Sequence, residues 1–186
     1  HLGNGASMAA MVNRRCVATT LGFSTIDGLM MGTRCGNLDP GVVLHLMETK
    51  GLSVKDMTRI LYKESGLLGV SGISQDMRTL LASDKPEAEE AVNLFCYRIV
   101  RELGSLVAAA GGLDALVFTG GIGEHSSRIR SQVLAGMQWL GIDHDPSAPG
   151  SGERLVSTPA SAVKVWVIPT DEEVTIARHA AAAVAT

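Results

Sequence analysis

The sequence has no basic excess, few cysteines and no long apolar run, and each shortage removes a class of function. Lys and Arg number 16 against 19 Asp and Glu, a net charge of −3. No basic block occurs, so the positive face that non-specific nucleic-acid binding needs is missing and no nucleic-acid partner is expected. No apolar tract reaches the roughly 20 residues of a membrane span, so no membrane partner is expected either. No stretch reads as a secretory signal. The three cysteines, Cys16, Cys35 and Cys96, include no Cys-X-X-Cys pair. Their odd number and spacing predict a reduced, cytosolic setting rather than a disulfide framework or a zinc site. What remains is a globular composition, 46% hydrophobic and 19% charged over 186 residues, enough for one good-sized core or two small ones. The chain opens at His1, inside a glycine-rich loop, and reads as part of a longer protein.

The organising stretch is residues 114–127. Leu116, Val117 and Phe118 form a short apolar run with strand propensity. Gly120, Gly121 and Gly123 follow within four positions, and Ser126 or Ser127 is placed to cap a helix continuing through Ile129, Val133 and Met137 to about Leu140. Strand, glycine-rich turn and helix start together suit an anion, because bare backbone approaches a phosphate closely. A tight strand-to-helix turn that binds nothing uses the same residues.

Residues 1–7 make a second glycine-rich turn. Strands near 7–12 and 16–20 follow, joined across Asn13, Arg14 and Arg15 as a hairpin. Residues 32–40 are a loop by composition. Asp39 is placed as N-cap and Pro40 in the first turn of a helix carrying Val42, Val43, Leu46 and Met47 on one side. Arg34 lies between two glycines, where a guanidinium recognises phosphate or carboxylate in bidentate fashion; a solvated surface charge is the alternative. Ser53 and Asp56 resemble a capping box opening a helix through Ile60 and Leu61. Glycine at 66, 69 and 72 is too dense for a regular helix. Residues 64–78 therefore read as a buried loop leading to Asp76 and Arg78, with Ser74 as a cap. The longest helix is expected over 86–110, opened by Pro86 with acidic residues at its positive end and a core stripe from Ala91 to Val107 at helical spacing. Residues 145–152 read as a surface connection. Val163, Val165 and Val167 mark a second strand, and Thr170 or Asp171 is placed to cap a final alanine-rich helix. An acidic residue there either complements the helix dipole or holds Mg²⁺ through hard oxygen ligands.

Five stretches occur in the order known from one family: His1-Leu2-Gly3-Asn4-Gly5-Ala6-Ser7, Gly28-Leu29-Met30-Met31-Gly32-Thr33-Arg34, Gly66-Leu67-Leu68-Gly69-Val70-Ser71-Gly72, Phe118-Thr119-Gly120-Gly121-Ile122-Gly123-Glu124, and Ile168-Pro169-Thr170-Asp171-Glu172-Glu173. Together they resemble the acetate kinase family, within the wider actin, sugar-kinase and heat-shock chaperone fold. What the chain resembles is the C-terminal, nucleotide-binding half of a two-domain kinase. The resemblance implies an α/β fold of actin-like, ribonuclease-H-like type, a mixed sheet flanked by helices. Residues 1–186 then form one nucleotide-binding domain, with 171–186 a possible crossover helix packing on the other half.

The resemblance also implies ATP-dependent, reversible phosphorylation of acetate to acetyl phosphate, with ATP/ADP and Mg²⁺ as cofactors, a short-chain carboxylate as substrate and a homodimer as assembly. His1, Leu2, Gly3, Asn4 and Gly5 match the family's phosphate-binding loop, and Arg34 its active-site arginine. Asp76, Met77 and Arg78 match a segment lining the adenosine pocket. Gly121, Ile122, Gly123, Glu124 and His125 match the loop beneath the nucleotide, and Glu172 the acidic residue near the metal. Asn37, His125 and Cys35 depart from the family's usual Asp, Asn and Ser. A propionate or butyrate kinase, or a non-catalytic nucleotide-binding module on the same fold, are the alternatives. The isolated chain is expected to be inactive, because the family's other half supplies further catalytic groups and the acyl pocket.

Overall fold

The computed structural model describes residues 1–146 and 154–184, the side chain of Glu172 excepted. β1 (Ala9–Val12) and β2 (Arg15–Thr19) form an antiparallel hairpin with Ala9 opposite Thr19 and Val12 opposite Arg15. Its two turn residues, Asn13 and Arg14, have φ of 51° and 64°. A two-residue turn matching strand twist requires left-handed backbone at both positions.

Caps place the next helices where the sequence puts them. Asp39 accepts from the Gly41 N–H at 2.8 Å to start α1 (Pro40–Lys50). Ser53 and Asp56 exchange both bonds of a capping box to start α2 (Val54–Lys63). Of the apolar residues expected on one side of α1, Val43, Leu46 and Met47 are half-buried, and no residue of the helix is fully buried. The glycine-spaced segment also differs from expectation, forming two short helices, α3 (Gly66–Ser71) and α4 (Met77–Leu81). Packing overrides propensity here, because α3 and α4 lie against the long helix and bury Leu67, Met77 and Leu80.

That long helix, α5 (Pro86–Ala110), is the spine of the molecule. Ala91, Phe95, Ile99 and Leu103 on one stripe are at most 4% exposed, and the helix also packs against α7, β1 and β2. Gly111 closes it in left-handed backbone, φ 79°, as helix C-termini favour. The chain then enters β3 (Ala115–Phe118), α6 (Gly120–His125) and α7 (Ser127–Ala135). The three glycines thus form a short helix rather than an open turn. Ser126 caps α7 by accepting from Ile129 N–H. α7 stops at Ala135 instead of about Leu140, since Gly136 and Met137 turn to tighter bonds with Val133 and Leu134.

A two-residue β4 (Arg154–Leu155), not anticipated, and β5 (Lys164–Val167) complete a mixed sheet. Its order is β3-β5-β4, with β3 parallel and β4 antiparallel to β5. Most of the expected surface connection over 145–152 lies outside the described residues. α8 (Glu172–Val184) ends the described chain. Among the described residues no helix is long and apolar enough to cross a membrane.

Candidate functional site

Leu2 gathers the glycine-rich segments. Its side chain is 2% exposed, in the same core as Phe118. Its N–H donates to Thr119 O at 2.7 Å, and its carbonyl accepts from Ile122 and Gly123 at 2.7 and 3.1 Å. The loop closes on itself through paired bonds between His1 and Ser7 and a Gly3 N–H to Gly5 O bond. Gly120, at φ 80°, lies so near that an added Cβ would stand 2.8 Å from Leu2 O. A side chain at that position would push the two loops apart.

A third segment joins from the other side. Gly32 N–H donates to Asn4 O at 3.0 Å. A Cβ on Gly32 would collide with Asn4 Oδ1 and approach Gln75 O at 3.3 Å. Two residues on, the half-buried Arg34 is held by a bond from Nη1 to Thr25 O at 2.9 Å. A Cβ built on Gly5 would sit 3.9 Å from the same nitrogen. Bare glycine backbone thus lies against a positioned guanidinium, the pairing that suits an anion of phosphate type.

Several of the expected residues take other roles. Met77 is 3% exposed and belongs to the core, so a ligand at this segment would meet Asp76 and Arg78 instead. Asp76 caps α4 through Arg78 N–H at 2.8 Å and pairs with the Arg78 guanidinium at 2.6 Å. The Arg78 side chain, then its backbone N–H, pull the Asp76 carboxyl down to about 2. Gly121 and His125 are exposed, Ile122 is half-buried and Gly123 is buried.

Glu124 turns inward upon the loop's own backbone. Its Oε1 accepts from Gly120 N–H at 2.9 Å, Thr170 N–H at 2.9 Å and the Thr170 hydroxyl at 3.1 Å. Burial opposes the charged form, but the Thr170 and Gly120 bonds outweigh it and hold the carboxyl below the usual glutamate range. The Thr119 and Thr170 hydroxyls are themselves hydrogen-bonded. The glycine helix is thereby tied to the exit of β5, one residue before Asp171.

Sequence reasoning missed Arg130. This side chain, 3% exposed, donates from Nη1 to Gly123 O and Glu124 O at 2.9 Å each. Arg154 adds a 3.3 Å bond to Glu124 O. Burial, then the nearby Arg154 charge, lower the Arg130 pKa. The available signal was an arginine beside Ile129 on the core side of a helix, a place where a cation needs partners.

Magnesium would need hard oxygen donors. Asp171 is engaged as the α8 cap, accepting from Val174 N–H at 3.0 Å. Glu173 is exposed, and the expected metal-side Glu172 has its side chain outside the described residues. Among the described residues no group of three or more His, Cys, Asp or Glu is placed to hold a metal.

Comparison with known sequences decides the family. Residues 1–178 match the profile of the Acetokinase family. The chain belongs to that family. Like other members it resembles the acetate kinase of Rhodopseudomonas palustris (strain TIE-1), at 63% identity over 181 residues, covering 96% of this chain and 46% of that protein. Among solved structures, the acetate kinase of Porphyromonas gingivalis superposes with a TM-score of 0.91 at 42% identity, covering 96% of this chain and 46% of that one. A propionate kinase from Francisella tularensis subsp. tularensis SCHU S4 gives 0.88 at 37%, with 95% and 46% covered. This acetokinase chain thus spans about half the length of the relatives it matches, and its fold is the α/β arrangement of mixed sheet and flanking helices expected from the sequence.

Proposed function

We propose that this chain is the C-terminal, nucleotide-binding half of an ATP-dependent acetate kinase. The observation that carries the reading is the convergence on Leu2 and Asn4 of three segments, residues 1–5, 32–34 and 119–125, with Arg34 Nη1 beside Gly5. In the reaction a bond from the terminal phosphorus to ADP oxygen breaks as one to a carboxylate oxygen of acetate forms, giving ADP and acetyl phosphate. Such transfer depends on positioning and on neutralising charge at the moving phosphoryl group. The loop of His1, Leu2, Gly3, Asn4 and Gly5 orients the phosphates, and Arg34 neutralises the transferred group. Asp76 and Arg78 border the adenosine, and Gly121, Ile122, Gly123, Glu124 and His125 form the floor. Magnesium, when bound with the nucleotide, supplies further charge neutralisation, with Glu172 the proposed protein ligand.

The acyl pocket and further catalytic groups lie outside this chain, so the chain alone has negligible turnover. A rate near that of an intact kinase from the isolated chain would overturn that statement. The free thiols of Cys16, Cys35 and Cys96 support a cytosolic setting. Exposed Met11, Val17 and Phe23 on and after the hairpin support a homodimer of the full-length enzyme. The decisive variant is Arg34→Ala in the full-length kinase, assayed for acetyl phosphate formation. The expected loss in kcat is about a hundredfold or more. An unchanged kcat would favour a non-catalytic nucleotide-binding module.

A further inference from the structure

Arg34 is a half-buried cation that no acid neutralises. The ion pairs among the described residues are Asp56–Arg59, Arg59–Glu64 and Asp76–Arg78, and none includes Arg34. Two neutral acceptors hold its Nη1 instead, Thr25 O at 2.9 Å and Met31 Sδ at 3.6 Å. A carboxylate partner would cancel the charge that a phosphoryl group needs. A carbonyl fixes the direction of the guanidinium and leaves its charge in place. The backbone beneath is fixed separately. Met31 N–H donates to Arg34 O at 3.2 Å, and Leu67 N–H, at the start of α3, donates to Met31 O at 2.9 Å. The freedom left to Arg34 is in its side chain, and Thr25 limits it.

Thr25 belongs to a loop that closes on itself. Residues 21–27 depart after Thr20 and return at Gly28. Gly28 has φ of 97° and lies so near Thr20 that an added Cβ would collide with Thr20 O. On the entering side Thr20 N–H donates to Met8 O, and the Thr20 hydroxyl accepts from Met8 N–H, each at 2.9 Å. On the leaving side Gly28 O accepts from Asn37 N–H at 2.8 Å. Leu29, Met30 and Met31 then run into the core, at most 4% exposed. Asp27 is the one acid of the loop, and it serves closure. Its Oδ1 accepts from Gly28 N–H at 2.9 Å. Its Oδ2 fills the space beside Gly22, where an added Cβ would collide with it.

We infer that the loop of residues 21–27 positions Arg34 for phosphoryl transfer, with Asp27 and Gly22 as the positioning residues that keep the loop closed. They act through Thr25 O and touch no substrate. Transfer is sensitive to such placement, since a displacement of about 1 Å costs roughly a hundredfold in rate. The inference rests on the reading of Arg34 as the group that neutralises the transferred phosphoryl, and it fixes how substitutions in the loop combine with one at Arg34.

The test is a double-mutant cycle in the full-length kinase, assayed for acetyl phosphate formation with kcat and the KM for ATP separated. Asp27→Ala opens the loop, and Gly22→Ala puts a methyl where the Asp27 carboxylate lies. Each is expected to lower kcat about tenfold or more, with KM for ATP changed by less than about twofold. Asp27→Asn keeps an oxygen for Gly28 N–H and should retain at least about half of kcat. Added to Arg34→Ala, the two alanine substitutions should lower kcat by no more than about twofold further, because the side chain they position is gone. A loop that only supported the fold would exert its full effect in that background. Full additivity, an unchanged kcat in Asp27→Ala, or equal losses in Asp27→Asn and Asp27→Ala would overturn the inference and leave the role of Arg34 standing. An unchanged kcat in Arg34→Ala alone would remove that role, and the inference with it. Asp27→Ala adds no atoms, so it completes the cycle even where Gly22→Ala gives no soluble enzyme.

Discussion

The Glu124 carboxylate is the most committed ionised group near the proposed phosphate site, and it serves the protein's own backbone. Three donors converge on Oε1, two of them from Thr170. Glu124→Gln keeps the shape but replaces a charged acceptor with a weaker neutral one. It is expected to speed amide exchange at Gly120 and Thr170 and to weaken ADP binding while leaving the rest of the fold protected. Unchanged exchange at both amides would show that the carboxylate holds nothing. Because folding depresses this pKa, the contribution is complete above the ordinary glutamate range and disappears as pH falls through the folded value. Gly120 and Thr170 protection should therefore weaken on acidification before the core opens.

The cysteines give a second check at this scale. Burial pushes the Cys96 thiol up to about 12, so it stays protonated and unreactive, whereas Cys16 is exposed. At pH 8 a thiol reagent should modify Cys16 first and Cys96 only on unfolding. Equal rates would contradict the burial of α5. The Glu124–Thr170 link and the Arg130 contacts were invisible in the sequence, because each joins residues whose proximity is created by folding. The family resemblance placed Glu124 in the loop beneath the nucleotide, and its bonds to Gly120 and Thr170 emerge only in the folded chain.

Among elements, α5 was the most legible. A 3.6-residue apolar period over 25 residues, a proline at the start and a glycine after the end leave little choice. Phe95, fully buried on that stripe, makes the strongest stability test. Phe95→Ala should cost about 3–5 kcal/mol, measured as a lowered denaturation midpoint. A loss below about 1 kcal/mol would mean that α5 is not the spine. Caps at Asp39, Ser53 and Ser126 were legible for a local reason, since the side chain and its N–H partner lie within three residues. α3 and α6 were not. Their glycines argue against helix, and only packing on α5 and on Leu2 overrides that preference. In α1 the apolar side was legible as well: Val43, Leu46 and Met47 are half-buried, although none of its residues is fully buried.

At the scale of the whole molecule, five glycine-rich or acidic motifs in one order were enough to reach the family, because each marks a place where backbone must approach backbone or ligand. Their convergence is now physical: Leu2 binds the first motif to the fourth, Asn4 binds it to the second, and Thr170 binds the fifth to the fourth. The most direct test of the central claim is a calorimetric titration of this chain with ADP, with and without Mg²⁺. The account predicts one site per chain, strengthened by Mg²⁺. A chain shown by hydrogen exchange to be folded, yet taking up no ADP under either condition, would contradict the assignment of these loops to a nucleotide.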